Sequence, residues 1–315
     1  MRYTWAIWIC LPFLSSSAVF GQPHAESHRD EDFQLEVLRP TAESGDAKSQ
    51  YLLGGKYELG SEVPADIEEA VKWYRKSAEQ GYVDAQRKLG AIYALGYGIP
   101  QDLPEAAKWF RKAAEQGSAD AQCYLGVMYF TGKGVPKDYI EAVNWYRKAI
   151  ENGDPKAKFG LGLMYLRGDG VGKNLPESVR LFREAAAAGV KDAQCILGMM
   201  CSTGTGVPQD YGQAAKWFRD AAEQGMSRAQ ERLGLIYSQG VGVPKDLVQA
   251  YMWCDLAGQQ GSEKAKRARA TLAEKMSPEQ IAQAQAKSTA WRNEHKDELE
   301  SLLNPSWFEP NAIKK

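Results

Sequence analysis

The chain repeats itself every 36 residues, and that period decides what it can fold into. Trp73, Trp109, Trp145, Leu181, Trp217 and Trp253 stand one period apart. So do Leu53, Leu89, Leu125, Leu161, Leu197 and Leu233, each followed by a glycine. Tyr57, Tyr93, Tyr129, Tyr165 and Tyr237 keep the same step, with Cys201 as the one departure. Six consecutive units without an insertion point to a repeat architecture, in which each unit buries its apolar face on its neighbours.

Each unit resolves into two helices. In the first unit Ala47, Gln50, Leu53, Gly54 and Tyr57 recur at helical spacing, and Gly60 stands where a helix ends. Asp66 then opens a second helix with Glu69 three residues on, the pattern of a capping box. The pair returns as Asp102/Glu105, Asp138/Glu141, Asn174/Glu177, Asp210/Gln213 and Asp246/Gln249. Ala70, Trp73, Tyr74 and Ala78 form the apolar stripe of that second helix, and Gly81 ends it. Gly54 and Ala70 mark a close approach of two helix backbones, with Trp and Leu filling the remaining volume. The sequence therefore predicts an all-α fold: a right-handed α-solenoid of six 36-residue helix-turn-helix repeats, with a C-terminal capping helix.

The glycine-rich segment Gly132-x-Gly134-Val135-Pro136-x-Asp138 looks superficially like a phosphate loop. A phosphate loop follows a strand and occurs once; this one follows a helix and recurs with variation in five units, so it reads as a turn. Three stretches, for example Ala121 to Tyr129, Gly132 to Asp138 and Glu141 to Ala149, carry a close resemblance to the Sel-one-like repeat family of tetratricopeptide-type solenoids. The resemblance covers residues 42–275. It implies a superhelical scaffold that recruits proteins or peptides, often in bacterial signalling, envelope assembly or host contact. The fourth unit departs most, with Gly172 for Pro, Asn174 for Asp and Leu181 for Trp.

The ends read differently from the middle. Met1-Arg2, an apolar run over residues 4–14 and small residues before Gly21 give the layout of a secretory signal over 1–21. That apolar run is short for a membrane span. Residues 22–41 are polar and without period, and are expected to be a flexible lead-in. After a partial seventh unit, Ser277-Pro278-Glu279-Gln280 opens a capping helix over 276–303, followed by a loose tail over 304–315. The mature chain is expected to be a monomer, exported to the periplasm or secreted, and without membrane insertion.

Composition closes off several functions. The net charge is −1 and no Lys/Arg block offers a footprint for nucleic acid. His24, His28 and His295 all lie outside the repeats, so no histidine base, triad or zinc site can be built within them. Some cysteine-rich relatives of the family are tied to β-lactam hydrolysis, which makes a hydrolase the alternative reading. No serine here has a lysine three residues later, and the paired cysteines of those relatives are missing. Cys123 and Cys195 share a repeat position two units apart. With helices packed about 8–10 Å apart, they lie beyond the roughly 7 Å Cα limit for a disulfide. Cys123, Cys195, Cys201 and Cys254 are expected to be free, buried thiols. No enzyme activity, cofactor or metal is expected.

What remains is a stripe on the first helices, beside the packing stripe. It includes Arg87; Cys123, Val127 and Phe130; Phe159, Leu163 and Leu166; and Cys195 and Met199. Two arrangements are open to it. The stripe is either an apolar groove for an extended peptide or amphipathic helix, or it is buried between neighbouring repeats by tight curvature.

Overall fold

The structure is a computed structural model that describes residues 35–295. The leader over 1–21, the lead-in as far as residue 34, the end of the capping helix and the tail lie outside the described residues. The described chain is an all-α solenoid of fifteen helices, with no strand among the described residues. They are α1 (Leu35–Glu43), α2 (Ala47–Leu59), α3 (Ile67–Glu79), α4 (Val83–Leu95), α5 (Leu103–Glu115), α6 (Ala119–Thr131), α7 (Tyr139–Glu151) and α8 (Pro155–Arg167). Then come α9 (Leu175–Ala187), α10 (Lys191–Thr203), α11 (Tyr211–Glu223), α12 (Ser227–Gln239), α13 (Leu247–Gln259), α14 (Glu263–Ala273) and α15 (Pro278–Glu294). The helices fall into two compact units, residues 35–160 with 169–171, and residues 161–168 with 172–295.

One contact recurs in every repeat and sets the spacing of its two helices. A Cβ added at Gly54, Gly90, Gly126, Gly162 or Gly198 would lie 2.6–2.8 Å from a ring carbon of Tyr74, Phe110, Tyr146, Phe182 or Phe218 on the partner helix. The ring that lies over the glycine is therefore the aromatic after the Trp position, not the Trp itself. In the sixth repeat Cys254 takes the ring's place, and its sulfur would sit 2.6 Å from a Cβ at Gly234.

The loop within each hairpin also packs on the preceding repeat. The first glycine of each loop, such as Gly96 or Gly132, has φ near +70° and closes the first helix through its N–H. The second lies under the start of the preceding repeat's second helix. A Cβ at Gly98 would fall 2.3 Å from Ile67, and one at Gly242 2.4 Å from the Tyr211 backbone. Among the described residues only helix α1 precedes the first repeat, and there Glu62 occupies this position at φ 64°. Its carboxylate instead accepts from the Leu35 N–H at 3.0 Å and from Lys56 at 2.5 Å.

Two expectations are corrected. Residues 35–41 are not lead-in but part of helix α1, which begins a half-repeat one period before the first hairpin. Arg39, Thr41, Ala42 and Gly45 stand 36 residues before Arg75, Ser77, Ala78 and Gly81, and Leu38 and Ala42 are buried against Leu53 and Trp73. The capping boxes of the repeats are only half formed. Asp66, Asp102 and Asn174 each accept from the N–H three residues on. The matching Glu69, Glu105 and Glu177 turn outward to Lys72, Lys108 and Arg180, which offer a charged donor three residues along. The full box forms at Ser277 and Gln280, where α15 begins. From there α15 packs on α13, with Trp291 edge-on to Trp253 and Ser288 donating to Asp255.

The glycine contacts predict a contrast between two neighbours. Gly126→Ala should destabilise the fold by about 1–3 kcal/mol through overpacking against Tyr146. Gly55→Ala, whose nearest atom is the Tyr74 hydroxyl at 3.7 Å, should stabilise by about 0.5–1 kcal/mol through helix propensity. Denaturant midpoints of the two variants check this.

Candidate functional site

A binding or catalytic site has to be built from side chains that packing leaves over, so the ties between repeats are accounted for first. In five repeats a buried glutamine of the first helix donates to a carbonyl at the end of the preceding second helix. The bonds are Gln50 to Ala42, Gln86 to Ala78, Gln122 to Ala114, Gln194 to Ala186 and Gln230 to Ala222, at 2.9–3.3 Å. Each of these glutamines accepts in turn from the residue that ends its own hairpin: Gln80, Gln116, Asn152, Gln224 or Gln260, at 2.7–2.9 Å. The fourth repeat has Lys158 and Ala188 at these two positions. A second tie joins an arginine to the tyrosine hydroxyl of the following repeat, in Arg39–Tyr57, Arg75–Tyr93, Arg111–Tyr129 and Arg219–Tyr237. Cys201 removes the hydroxyl opposite Arg183. At the last second helix the register holds Asp255 instead, which accepts from Arg269 at 2.5 Å and Ser288 at 2.6 Å.

These polar roles were not read from the sequence, although the signal was there. An apolar stripe explains Leu, Trp and Ala at a fixed step, but not a glutamine at the same step in five units. A buried amide with a fixed partner does.

Of the expected groove residues, most are covered. Cys123, Val127, Phe130, Phe159, Leu163 and Cys195 are all buried, none more than 9% exposed, and the adjoining Ala91 and Ala94 are buried with them. The tight-packing arrangement therefore holds for this part of the stripe. Arg87, Leu166 and Met199 stay partly exposed. Arg87 stands 3.8 Å from Asp84. In residues 161–295, Leu166, Met199, Ser202, Leu235 and Ser238 make a partly exposed strip along α8, α10 and α12. The register of Met199 and Leu235 is the one at which Ala91, Val127 and Leu163 are closed off.

The titratable groups offer little chemistry. Cys123, Cys195, Cys201 and Cys254 are free and buried. Burial pushes the Cys195 and Cys254 thiols up to about 12. Cys123 is raised by burial and by the neighbouring carboxylate of Asp154. Burial also raises Asp154, whose Oδ1 caps α8 by accepting from the Lys156 and Ala157 N–H groups. A protonated thiol beside a carboxylate is a poor nucleophile. His295, the histidine among the described residues, stacks on Trp291 at 4.2 Å. Among the described residues no cluster of His, Cys, Asp or Glu could hold a metal ion, and no helix is long and apolar enough to cross a membrane.

The fold and its leftover surface define a repeat scaffold. The Sel1 repeat family model matches residues 47–82, 83–118, 119–154, 155–190, 191–226 and 227–262, and the chain belongs to the Sel1 repeat family. A Sel1 repeat protein from Oxalobacter formigenes is 34% identical, with a TM-score of 0.66, over 73% of this chain and 90% of that one. A protective antigen of uropathogenic Escherichia coli strains with the same repeat fold is 27% identical, with a TM-score of 0.43, over 89% and 91% of the two chains. The immunity protein PA5088 from Pseudomonas aeruginosa is 19% identical, with a TM-score of 0.49, over 69% and 82%. The comparison with curated proteins found no match. Sel1 repeat proteins are protein-interaction scaffolds on a non-catalytic repeat fold.

The buried thiols give a direct check. At pH 8 native Cys195 and Cys254 should react with iodoacetamide roughly a thousand times more slowly than an ordinary thiol, and all four repeat thiols should label rapidly once the chain is denatured. Peptide mass spectrometry over a labelling time course reads both.

Proposed function

We propose that this protein is an exported, non-enzymatic scaffold that holds a protein or peptide partner on the first helices of residues 161–295, in envelope-associated signalling or assembly. One observation carries the binding surface. The register that is closed at Ala91, Val127 and Leu163 is partly open at Met199 and Leu235, with Leu166, Ser202 and Ser238 beside it. Apolar side chains that packing leaves accessible at regular spacing suit the apolar face of an amphipathic helix, and the two serines offer hydrogen bonds at its edge.

Export rests on the sequence: a positive start, an apolar core over residues 4–14 and small residues before Gly21. The absence of enzymatic work rests on the accounting above, since the thiols are raised and the capping carboxylates are engaged at helix starts.

The test is capture of a partner from the native cell, followed by Met199→Asp and Leu235→Asp in a chain whose melting temperature is unchanged. Each substitution should weaken binding at least about tenfold, the usual scale of losing one anchoring apolar contact. Binding that is indifferent to both places the partner elsewhere.

A further inference from the structure

The partly exposed strip through Met199 and Leu235 has two unlike edges, and the difference lies in where the first helices carry charge. In α10, α12 and α14 every charged residue falls within the first seven positions, and the remainder of each helix carries none. Those first positions hold seven lysines and arginines against three carboxylates, in a chain whose net charge is −1.

Helix stability does not account for this placement. The start of a helix carries the positive end of its dipole and favours carboxylates, so cations gathered there oppose it. Internal pairing accounts for a part: Lys266 pairs with Glu263 at 2.8 Å and Arg269 with Asp255 at 2.5 Å. That leaves Lys191, Arg228, Arg232, Lys264 and Arg267 against Asp192 and Glu231. Burial raises the Asp192 carboxyl, with Lys191 opposing, and so disfavours its charged form. Glu231 accepts from the Ser262 hydroxyl at 2.7 Å. Arg228 is partly exposed and Arg267 exposed, and both stand outside every ion pair among the described residues.

Arg228 borders the apolar strip. It lies two helical turns before Leu235 on one face of α12. Towards α10 it bears on Cys195, where after burial Arg228 is the largest influence on the thiol, ahead of Asp192 and Arg232. Cys195 in turn stands one turn before Met199. The far edge is built otherwise. Ser202 and Ser238 close it, and each hydroxyl donates to a carbonyl of its own helix, Met199 or Leu235, at 2.8 Å.

We propose that the segment held on this strip is an amphipathic helix, acidic along the flank that faces the starts of α10, α12 and α14 and uncharged along the other. This rests on the strip through Met199 and Leu235 being the docking surface. An acidic flank neutralises Arg228 and Arg267, meets the positive ends of the helix dipoles and sets no carboxylate against the uncharged rim. A basic flank sets like charges together, so the surface selects its partner by repulsion as well as by attraction.

Fluorescence anisotropy on the full chain tests this with two labelled synthetic peptides of about five helical turns. Both carry the same leucine face at helical spacing; one bears glutamate along a single flank, and the other bears lysine at the same positions. The acidic peptide should bind at least about tenfold more tightly, by a margin that shrinks as salt rises. Arg228→Glu with Arg267→Glu should abolish that preference at an unchanged melting temperature. The milder Arg228→Gln with Arg267→Gln should reduce it, and keeps the test readable if the reversal unfolds the chain. Met199→Asp should weaken both peptides. Equal binding of the two peptides, tighter binding of the basic one, or a preference indifferent to the Arg228 and Arg267 changes overturns the acidic partner, while a loss on Met199→Asp still upholds the strip. If neither peptide binds, or Met199→Asp changes nothing, the strip is not the docking surface and this proposal falls with it.

Discussion

Everything in this fold leans on the contact between a first-helix glycine and the ring or sulfur of the partner second helix. A Cβ there would come within 2.6–2.8 Å of its neighbour in all six repeats, so the glycine is what lets the helices of a hairpin lie close. Once that distance is fixed, the Leu beside the glycine and the Trp before the ring fall into the seam, and the loop glycines must let the next hairpin pass over the start of the previous second helix. The sixth repeat shows the rule by exception: with Cys254 in place of the ring, the glycine is still needed, because the sulfur occupies the same space.

Polar side chains give the stack its specificity. Apolar seams repeat, and a repeating seam could slip. A buried glutamine bonded both to the carbonyl of the previous repeat and to the end of its own hairpin fixes five junctions to one register, since slipping would leave a buried amide without its partners. The Arg–Tyr ties do the same at four junctions. Where the array stops, the register changes sign: Asp255 replaces the arginine and holds Arg269 and Ser288 of the closing segment.

The architecture was legible because it is written six times. Helix limits, turns and the packed Trp and Leu positions follow from a 36-residue step and helical spacing, whereas the repeated Tyr57, Tyr129, Tyr165 and Tyr237 are half-buried. What escaped was written once or needed the third dimension. Helix α1 carries the register in Arg39, Thr41, Ala42 and Gly45, but its Val37 and Pro40 replace Trp and Lys, so the apolar stripe does not announce it. Glu62, a side chain at a glycine position, becomes intelligible only when its bond to the Leu35 N–H is seen. The stripe through Cys123, Phe130 and Phe159 is buried rather than open, because periodicity gives the spacing of a face and cannot say whether that face is covered. That depends on how far each hairpin turns over the next.

The consequence for function is a division of labour. Packing consumes most of the aromatic positions and the repeated glutamines, and leaves a few apolar side chains on the first helices, Met199 and Leu235 among them, partly exposed. In this fold 36 residues, and not the single helix, is the unit that folds. Deleting residues 119–154, one full period, tests it most directly by thermal unfolding followed by circular dichroism. The shortened chain should keep its helical signal per residue and unfold in one cooperative transition at a lower temperature. A chain that is unfolded or melts without cooperativity after this deletion would contradict the account.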